Sequence, residues 1–225
     1  MTSIFERALG EDFTRLHPMM QKRFGVGLDA GYACVGHGHM DEIRRGPWWT
    51  VPFLHIGKIR NILIPDVGHD VPLTIENYPY RDPFGRETVT FVREFQARPH
   101  RTSRFDATMI YSEGRQRIID YLGTHQHLAV DLDMKVQTDG SLLLTTHSQR
   151  LYEGWLGFNF PMIFSGKAVL RENWDESAAL YRIHLEVRNP VFGFLFGYSG
   201  TFTCEFPPAG GAPDRLKPVR HECRD

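Results

Sequence analysis

The chain predicts an α+β domain dominated by β-structure: an N-terminal helical segment on a strongly curved antiparallel meander, either a half-barrel or a lipocalin-like barrel. Three observations predict it. Most of the chain from Val71 onward alternates apolar and polar residues with a period of two, the signature of a half-buried strand. Short turn sequences separate these stretches, so consecutive strands pair as hairpins. The first 24 residues instead carry helical spacing.

In the N-terminal segment, Ser3 followed by Glu6 makes a capping box, and Ile4, Phe5, Ala8 and Leu9 form an apolar stripe. Gly10 and Pro18 interrupt that stripe, which predicts two short helices rather than one long one. Tyr32–Arg44 reads as a first strand loosened by Gly36 and Gly38. Pro52–Leu63 is ambiguous: Phe53, Ile56, Ile59 and Leu63 suit a helix with Pro52 at its start, while Ile62-Leu63-Ile64 alone suits a strand.

Strands follow at Thr88–Phe95, Ser103–Tyr111, Arg117–Leu122, Leu128–Val136, Leu142–His147, Gly166–Trp174, Leu180–Arg188 and Phe196–Phe206. The clearest is the pair around Asp139-Gly140. Leu128, Val130, Leu132, Met134 and Val136 alternate with His127, Ala129, Asp131, Asp133 and Lys135, and Gly140 can take the positive φ of a tight turn. Asp82-Pro83-Phe84-Gly85, Ser112-Glu113-Gly114 and Asp175-Glu176-Ser177 supply further turns. A meander of roughly 8 to 10 strands curls or closes to protect its edges. Residues 1–206 form one globular domain on this reading, and 207–225 form a Pro/Gly-rich, charged C-terminal tail. The absence of a long C-terminal helix argues against a helix-grip lipid-transfer fold.

Composition narrows the function classes. With 225 residues, 41% hydrophobic, the chain can bury roughly 70% of its unfolded surface without a metal or disulfide staple. The net charge of -1 gives no electrostatic reason to expect nucleic acid or an acidic membrane as a partner. Cys34, Cys204 and Cys223 are odd in number and form no Cys-x-x-Cys pair, which fits a reducing cytosol. Charged residues break up the first 24 positions, and no run approaches the ~20 apolar residues of a membrane span. A soluble, cytoplasmic protein with no transmembrane segment is expected. No cofactor is expected either: Gly-x-Ser-x-Gly, the Walker A and Rossmann glycine patterns and His-Glu-x-x-His are all absent.

Three features carry candidate chemistry. His37/His39 and His125/His127 could each present two imidazoles on one strand face, with Asp41, Asp131 and Asp133 alongside. The apolar face of Leu128, Val130 and Leu132 leaves the second pair on a solvated face, so no metal site is assigned. Arg93 shares a strand face with Val89, Phe91 and Phe95, where an isolated charge is costly. Glu172, alternating with Ala168, Leu170 and Trp174, is its candidate partner, and such a pair could hold a carboxylate or polar head group. The third feature is aromatic density. Trp155, Phe158, Phe160 and Phe164 surround Pro161, and Phe192, Phe194, Phe196 and Tyr198 alternate with Gly193, Leu195 and Gly197. Ordinary core, the wall of an apolar pocket, or a partner or membrane surface fits that spacing.

Several short motifs, in order, resemble a known family. They are Ile4-Phe5-Glu6-Arg7-Ala8-Leu9-Gly10 with Phe13, Leu16 and Pro18; Val92-Arg93-Glu94-Phe95; Glu172; Arg188-Asn189-Pro190-Val191-Phe192-Gly193; and Tyr198-Ser199-Gly200. Together they resemble the bacterial domain-of-unknown-function family four-one-six-six, over Ile4 to Phe206. The resemblance implies little chemistry. In some relatives the domain is fused to a saccharopine-dehydrogenase-like NAD(P)-binding domain, which implies an oxidoreductase partner. It favours Arg93, Glu172 and Tyr198 as site or core-network residues, and neither His-x-His pair belongs to the family pattern.

The function expected is binding of an apolar small molecule with a polar or acidic head inside the curved sheet. Phe194, Phe196 and Trp155 would bury its tail; Arg93, with Glu172 and Tyr198, would hold its head. Two alternatives stand beside it: an enzyme acting on a small molecule alongside an oxidoreductase, with Arg93, Glu172 and Tyr198 as its polar cluster, and a partner-docking domain with no pocket.

Overall fold

The computed structural model describes residues 2–98, 101–159 and 166–225. The cluster drawn around Pro161 falls partly outside these residues, since Phe160, Pro161 and Phe164 are not among them.

Two short helices open the chain, α1 (Ile4–Leu9) and α2 (Pro18–Phe24), joined by a 3-10 turn over Gly10–Arg15. The Ser3 half of the capping box forms: the Glu6 amide donates to Ser3 Oγ, and the Ser3 hydroxyl donates to the Phe24 carbonyl 2.9 Å away. Gly10 ends α1 with φ +56°, a conformation glycine adopts without strain. The apolar faces of both helices, Ile4, Phe5, Met20 and Phe24, are buried, with Phe5 and Phe24 edge to face at 5.2 Å. The helices cover one end of the sheet, where the His17 amide donates to the Gly140 carbonyl and the Tyr181 hydroxyl donates to the Met19 carbonyl.

Among the described residues fourteen strands follow: β1 (Cys34–Arg45), β2 (Gly68–Asn77), β3 (Pro79–Arg81), β4 (Glu87–Thr90), β5 (Val92–Arg98), β6 (Arg101–Phe105), β7 (Ala107–Ser112), β8 (Arg117–Leu122), β9 (Leu128–Val136), β10 (Leu142–Glu153), β11 (Leu156–Asn159), β12 (Lys167–Asp175), β13 (Leu180–Asn189) and β14 (Gly193–Glu205). Their order is β3-β4-β7-β8-β9-β10-β12-β13-β14-β1-β2-β5-β6, with β11 pairing only with β10. Every pairing is antiparallel, so the curved antiparallel sheet with an N-terminal helical segment is present as the sequence predicts.

There are more strands than the sequence suggests because β2, β3 and β11 are additional to the predicted ones and because two predicted strands break. Thr88–Phe95 divides at Phe91 into β4 and β5, and Ser103–Tyr111 divides at Asp106 into β6 and β7. The halves serve opposite margins of the sheet: β3, β4 and β7 lie at one, and β2, β5 and β6 at the other. Three bends, at Tyr78, Phe91 and Asp106, therefore carry the chain from one margin to the other. Hydrogen bonds fix these corners, among them Thr90 N–H to the Tyr78 carbonyl (2.9 Å) and Phe91 N–H to the Ala107 carbonyl (2.7 Å).

The interior holds the main core, including Leu73, Ile75, Val89, Phe95, Val130, Leu142, Ile183, Phe196 and Phe202. Phe202 fits inside because β1 has glycine beside it: a side chain at Gly36 would meet its ring at 2.9 Å. A second, smaller cluster of Ile110, Ile119, Tyr121, Ala129 and Tyr152 lies on the opposite face of the sheet. Residues 207–225 lie across this region. Leu216 and Glu222 are buried, Val219 N–H donates to the Thr124 carbonyl, Tyr121 Oη donates to the Arg224 carbonyl, and Arg86 donates to the Glu222 carbonyl. This changes the face of β9 expected to be solvated, where Ala129 and Asp131 are buried and Arg150 reaches Asp131 at 2.6 Å.

Pro52–Leu63 resolves as α3 (Val51–Ile59), preceded by a 3-10 turn over Trp48–Thr50. Among the described residues no helix is long and apolar enough to cross a membrane.

Candidate functional site

Inside the curve lies a cavity of about 130 Å³, counted as space open to the centres of water-sized molecules. One water needs ~10–15 Å³ on that measure, so the space suits on the order of ten waters or a short apolar chain. Its wall is nearly all hydrocarbon: Leu128, Val130 and Leu132 of β9, Leu144 of β10, Leu170 of β12, Leu185 and Val187 of β13, and Leu195 and Phe196 of β14. These are the inward positions that the period-two pattern creates. Phe53, Ile62 and Leu63, from α3 and the turn after it, also line the cavity.

Two ionisable side chains interrupt this wall, Arg93 of β5 and Asp120 of β8. Arg93 keeps the inward face it shares with Phe91 even though the strand breaks at Phe91. Its guanidinium lies 4.4 Å from the Phe91 ring centroid and 4.8 Å from that of Phe105, a cation held between two π faces. Among the described residues, Arg93 Nε and Asp120 Oδ1 are buried without a hydrogen-bond partner. Burial pushes the Asp120 carboxyl up to about 7, against the opposing pull of Arg93. A fully buried acid is therefore poised to gain or lose a proton near neutrality, beside a fixed cation.

Tyr198 is buried next to this pair. Its ring packs on Phe95 at 5.2 Å, and burial raises its hydroxyl pKa while Arg93 lowers it. The hydroxyl nevertheless has no hydrogen-bond partner among the described residues, so proximity to Arg93 has not become a bond.

The remaining expected residues go elsewhere. Glu172 does not pair with Arg93; it pairs with Arg23 of α2, whose Nη1 also donates to Asn77 Oδ1 (3.0 Å) and lies 3.2 Å from Cys34 Sγ. Phe196 lines the cavity, but Phe194 does not. The β13–β14 register shifts between Val187/Phe196 and Arg188/Phe194, so Leu195 and Phe196 both turn inward. Phe194 is left half-buried between Arg44 and Arg188, whose guanidinium carbons lie 5.5 and 5.7 Å from its ring. Trp155 sits on the β10–β11 turn and is 89% exposed.

The two histidine pairs are also separated. His37 and His39 are exposed on β1. His127 is buried rather than solvated, stacked on His125 at 5.3 Å, with Arg60 donating to its Nε2 at 2.8 Å and Nδ1 3.2 Å from the Tyr152 carbonyl. Burial lowers its pKa, against the opposing pull of the Tyr152 carbonyl and Glu153. Among the described residues no group of three His, Cys, Asp or Glu could hold a metal ion.

Sequence reasoning missed Asp120 and Arg23, yet each left a signal. Asp120 shares its strand face with Ile118 and Leu122, as Arg93 does with Phe91 and Phe95. Arg23 follows Met20 by three residues, on the stripe that α2 buries.

Comparison with known proteins adds lineage to this geometry. No solved structure matches the chain. It is 31% identical over 202 residues to the Uncharacterized protein YndH of Bacillus subtilis (strain 168), covering 90% of this chain and 97% of that protein. The family model described as "Domain of unknown function (DUF4166)" matches residues 16–202. The match spans most of the sheet and both walls of the cavity, and the chain belongs to this family.

Proposed function

We propose that the protein binds an apolar small molecule with a polar or acidic head inside the curved sheet. The observation that carries this reading is the Arg93–Asp120 pair, with Arg93 Nε and Asp120 Oδ1 unpartnered among the described residues, in a cavity whose remaining lining is mostly hydrocarbon. A buried cation without a hydrogen-bonded counterpart is costly, and a carboxylate or hydroxyl entering the cavity would satisfy Arg93 Nε. When Asp120 is protonated, it can donate to the same head group. The tail would lie along Leu132, Leu170 and Phe196, with Tyr198 behind Arg93.

Native mass spectrometry after mild purification tests the reading, together with melting shifts across a panel of fatty acids and isoprenoid acids. The expected result is a bound mass or a shift, weakened by esterifying the acid and by Arg93→Met. An empty protein with no shift across the panel overturns it.

One observation favours a second reading, an enzyme acting on a small molecule supplied or consumed by an oxidoreductase partner: Asp120, near 7, can serve as a general acid or base. That reading requires chemical change in the guest. A guest recovered unaltered after long incubation at neutral pH speaks for binding alone.

A further inference from the structure

The rim beside the cavity is unusually apolar on its outside. β1 and β14 leave the sheet together there, with Arg45 opposite Phe196 and Gly46 N–H donating to the Leu195 carbonyl at 2.7 Å. β1 then runs into Trp48, Trp49 and α3, while β14 is entered from the turn holding Val191 and Phe192. Trp48 is 80% exposed, Ile56 68% and Ile59 78%; Trp49, Val191 and Phe192 are at least half exposed. The other side of α3 is spent inward, with Leu54 buried and Phe53 against the cavity.

Charge on this segment has one sign. Between Arg44 and Arg60 the sequence has four cations (Arg44, Arg45, Lys58 and Arg60) and no carboxylate. Arg44 reaches Glu42 and Glu186 on neighbouring parts of the sheet, Lys58 reaches Asp66 and Arg60 donates to His127, but Arg45, three residues before Trp48, stands exposed.

We infer that this rim docks on the surface of an anionic lipid bilayer, with Trp48, Trp49, Ile56, Ile59, Val191 and Phe192 entering the headgroup boundary. Tryptophan favours that boundary because its ring is apolar and its N–H polar, and neighbouring cations add attraction to anionic headgroups. The same helix that would enter the lipid also roofs the cavity through Phe53, and the turn after it does so through Ile62 and Leu63. A guest could then pass between bilayer and cavity without crossing water. The inference goes beyond the cavity reading and stands without it.

The test uses the whole chain with no guest added. Co-sedimentation is measured with vesicles of phosphatidylcholine and phosphatidylglycerol, with phosphatidylcholine alone, and with added salt, alongside tryptophan emission. Binding with a blue shift, strongest on the anionic vesicles and weakened by salt, is expected. Trp48→Ser/Trp49→Ser and Ile56→Asp/Ile59→Asp should each weaken it ~10-fold or more, without lowering the melting temperature. Absence of sedimentation, or equal sedimentation of the variants, overturns the inference. So does a wild-type dimer that the same substitutions dissociate, which would assign the patch to a second copy of the chain. Vesicle binding by a protein that takes up no fatty acid would support the rim and sink the cavity reading; the converse would do the opposite.

Discussion

Arg23 on α2 reaches through the interior to Glu172 on β12, and both side chains are completely enclosed. The pair joins the N-terminal helices to the sheet across 149 residues of sequence. Its surroundings complete it: Asn77 accepts from the guanidinium at 3.0 Å, and the Phe202 ring lies 4.9 Å from Cζ.

Breaking the pair on one side leaves an unpaired charge in a dry interior. Glu172→Gln and Arg23→Met are each expected to cost ~3–5 kcal/mol in urea denaturation, and Arg23→Met/Glu172→Leu to recover most of the loss. A double variant no better than the sum of the singles would mean the pair is not a coupled unit.

Asp120 gives the stability a pH dependence of known sign. Its folded carboxyl titrates near 7, above the ordinary carboxylate range, so the folded state holds a proton that the unfolded chain releases near 4. Stability from this group is therefore present below pH ~4 and is lost as pH rises to ~7, by up to ~4 kcal/mol. Asp120→Asn should flatten that part of the curve and exceed the wild type at pH 8. Parallel wild-type and variant curves between pH 5 and 8 would exclude the assignment.

The C-terminal segment should matter to stability despite its polar composition. Ending the chain before Asp214 removes Leu216, the Glu222 and Arg224 carbonyl acceptors, and the cover over Tyr121 and Ile119. A loss of ~3–6 kcal/mol is expected, read as a lower melting temperature and new binding of an apolar dye. An unchanged melt would show that the outer cluster is stable uncovered.

Two of the three cysteines should react in a fixed order. Cys223 is exposed. Cys34 is drawn down to about 7 by the Cys204 thiol and Arg23, against its burial, but it lies inside the fold. Alkylation followed by mass spectrometry should find Cys223 modified first, and Cys34 only as fast as the helices open from the sheet. Early modification of Cys34 would reveal a solvent path to the Arg23 pocket.

Much of the fold was readable because strand periodicity is local. Leu128–Val136 and Arg117–Leu122 form strands over the predicted spans, and Asp139-Gly140 turns where expected, with Gly140 at φ +74°. The breaks at Phe91 and Asp106 were not readable, since neither glycine nor proline marks them; the fold imposes them where one strand must serve two margins. Arg93 announced itself as a charge on an apolar face. Its neighbour did not, because pairing depends on which strands meet: the acid that reaches the cavity is Asp120, while Glu172 answers to a helix at the far end of the sequence. Trp155 illustrates the weakness of composition, since an aromatic residue serves a core or a surface equally well and only the turn beneath it decides.

The corners at Tyr78, Phe91 and Asp106 constrain how the interior can be entered. A sheet whose two borders are stitched by its own backbone cannot flatten or peel apart to admit a visitor without tearing several hydrogen bonds at once. α3, spanning only Val51–Ile59, is held instead by side chains, with Lys58 reaching Asp66 and Ser103. Opening should therefore resemble a hatch lifting on a rigid vessel, with exchange slowed by tethering that one helix and indifferent to stiffening of the walls.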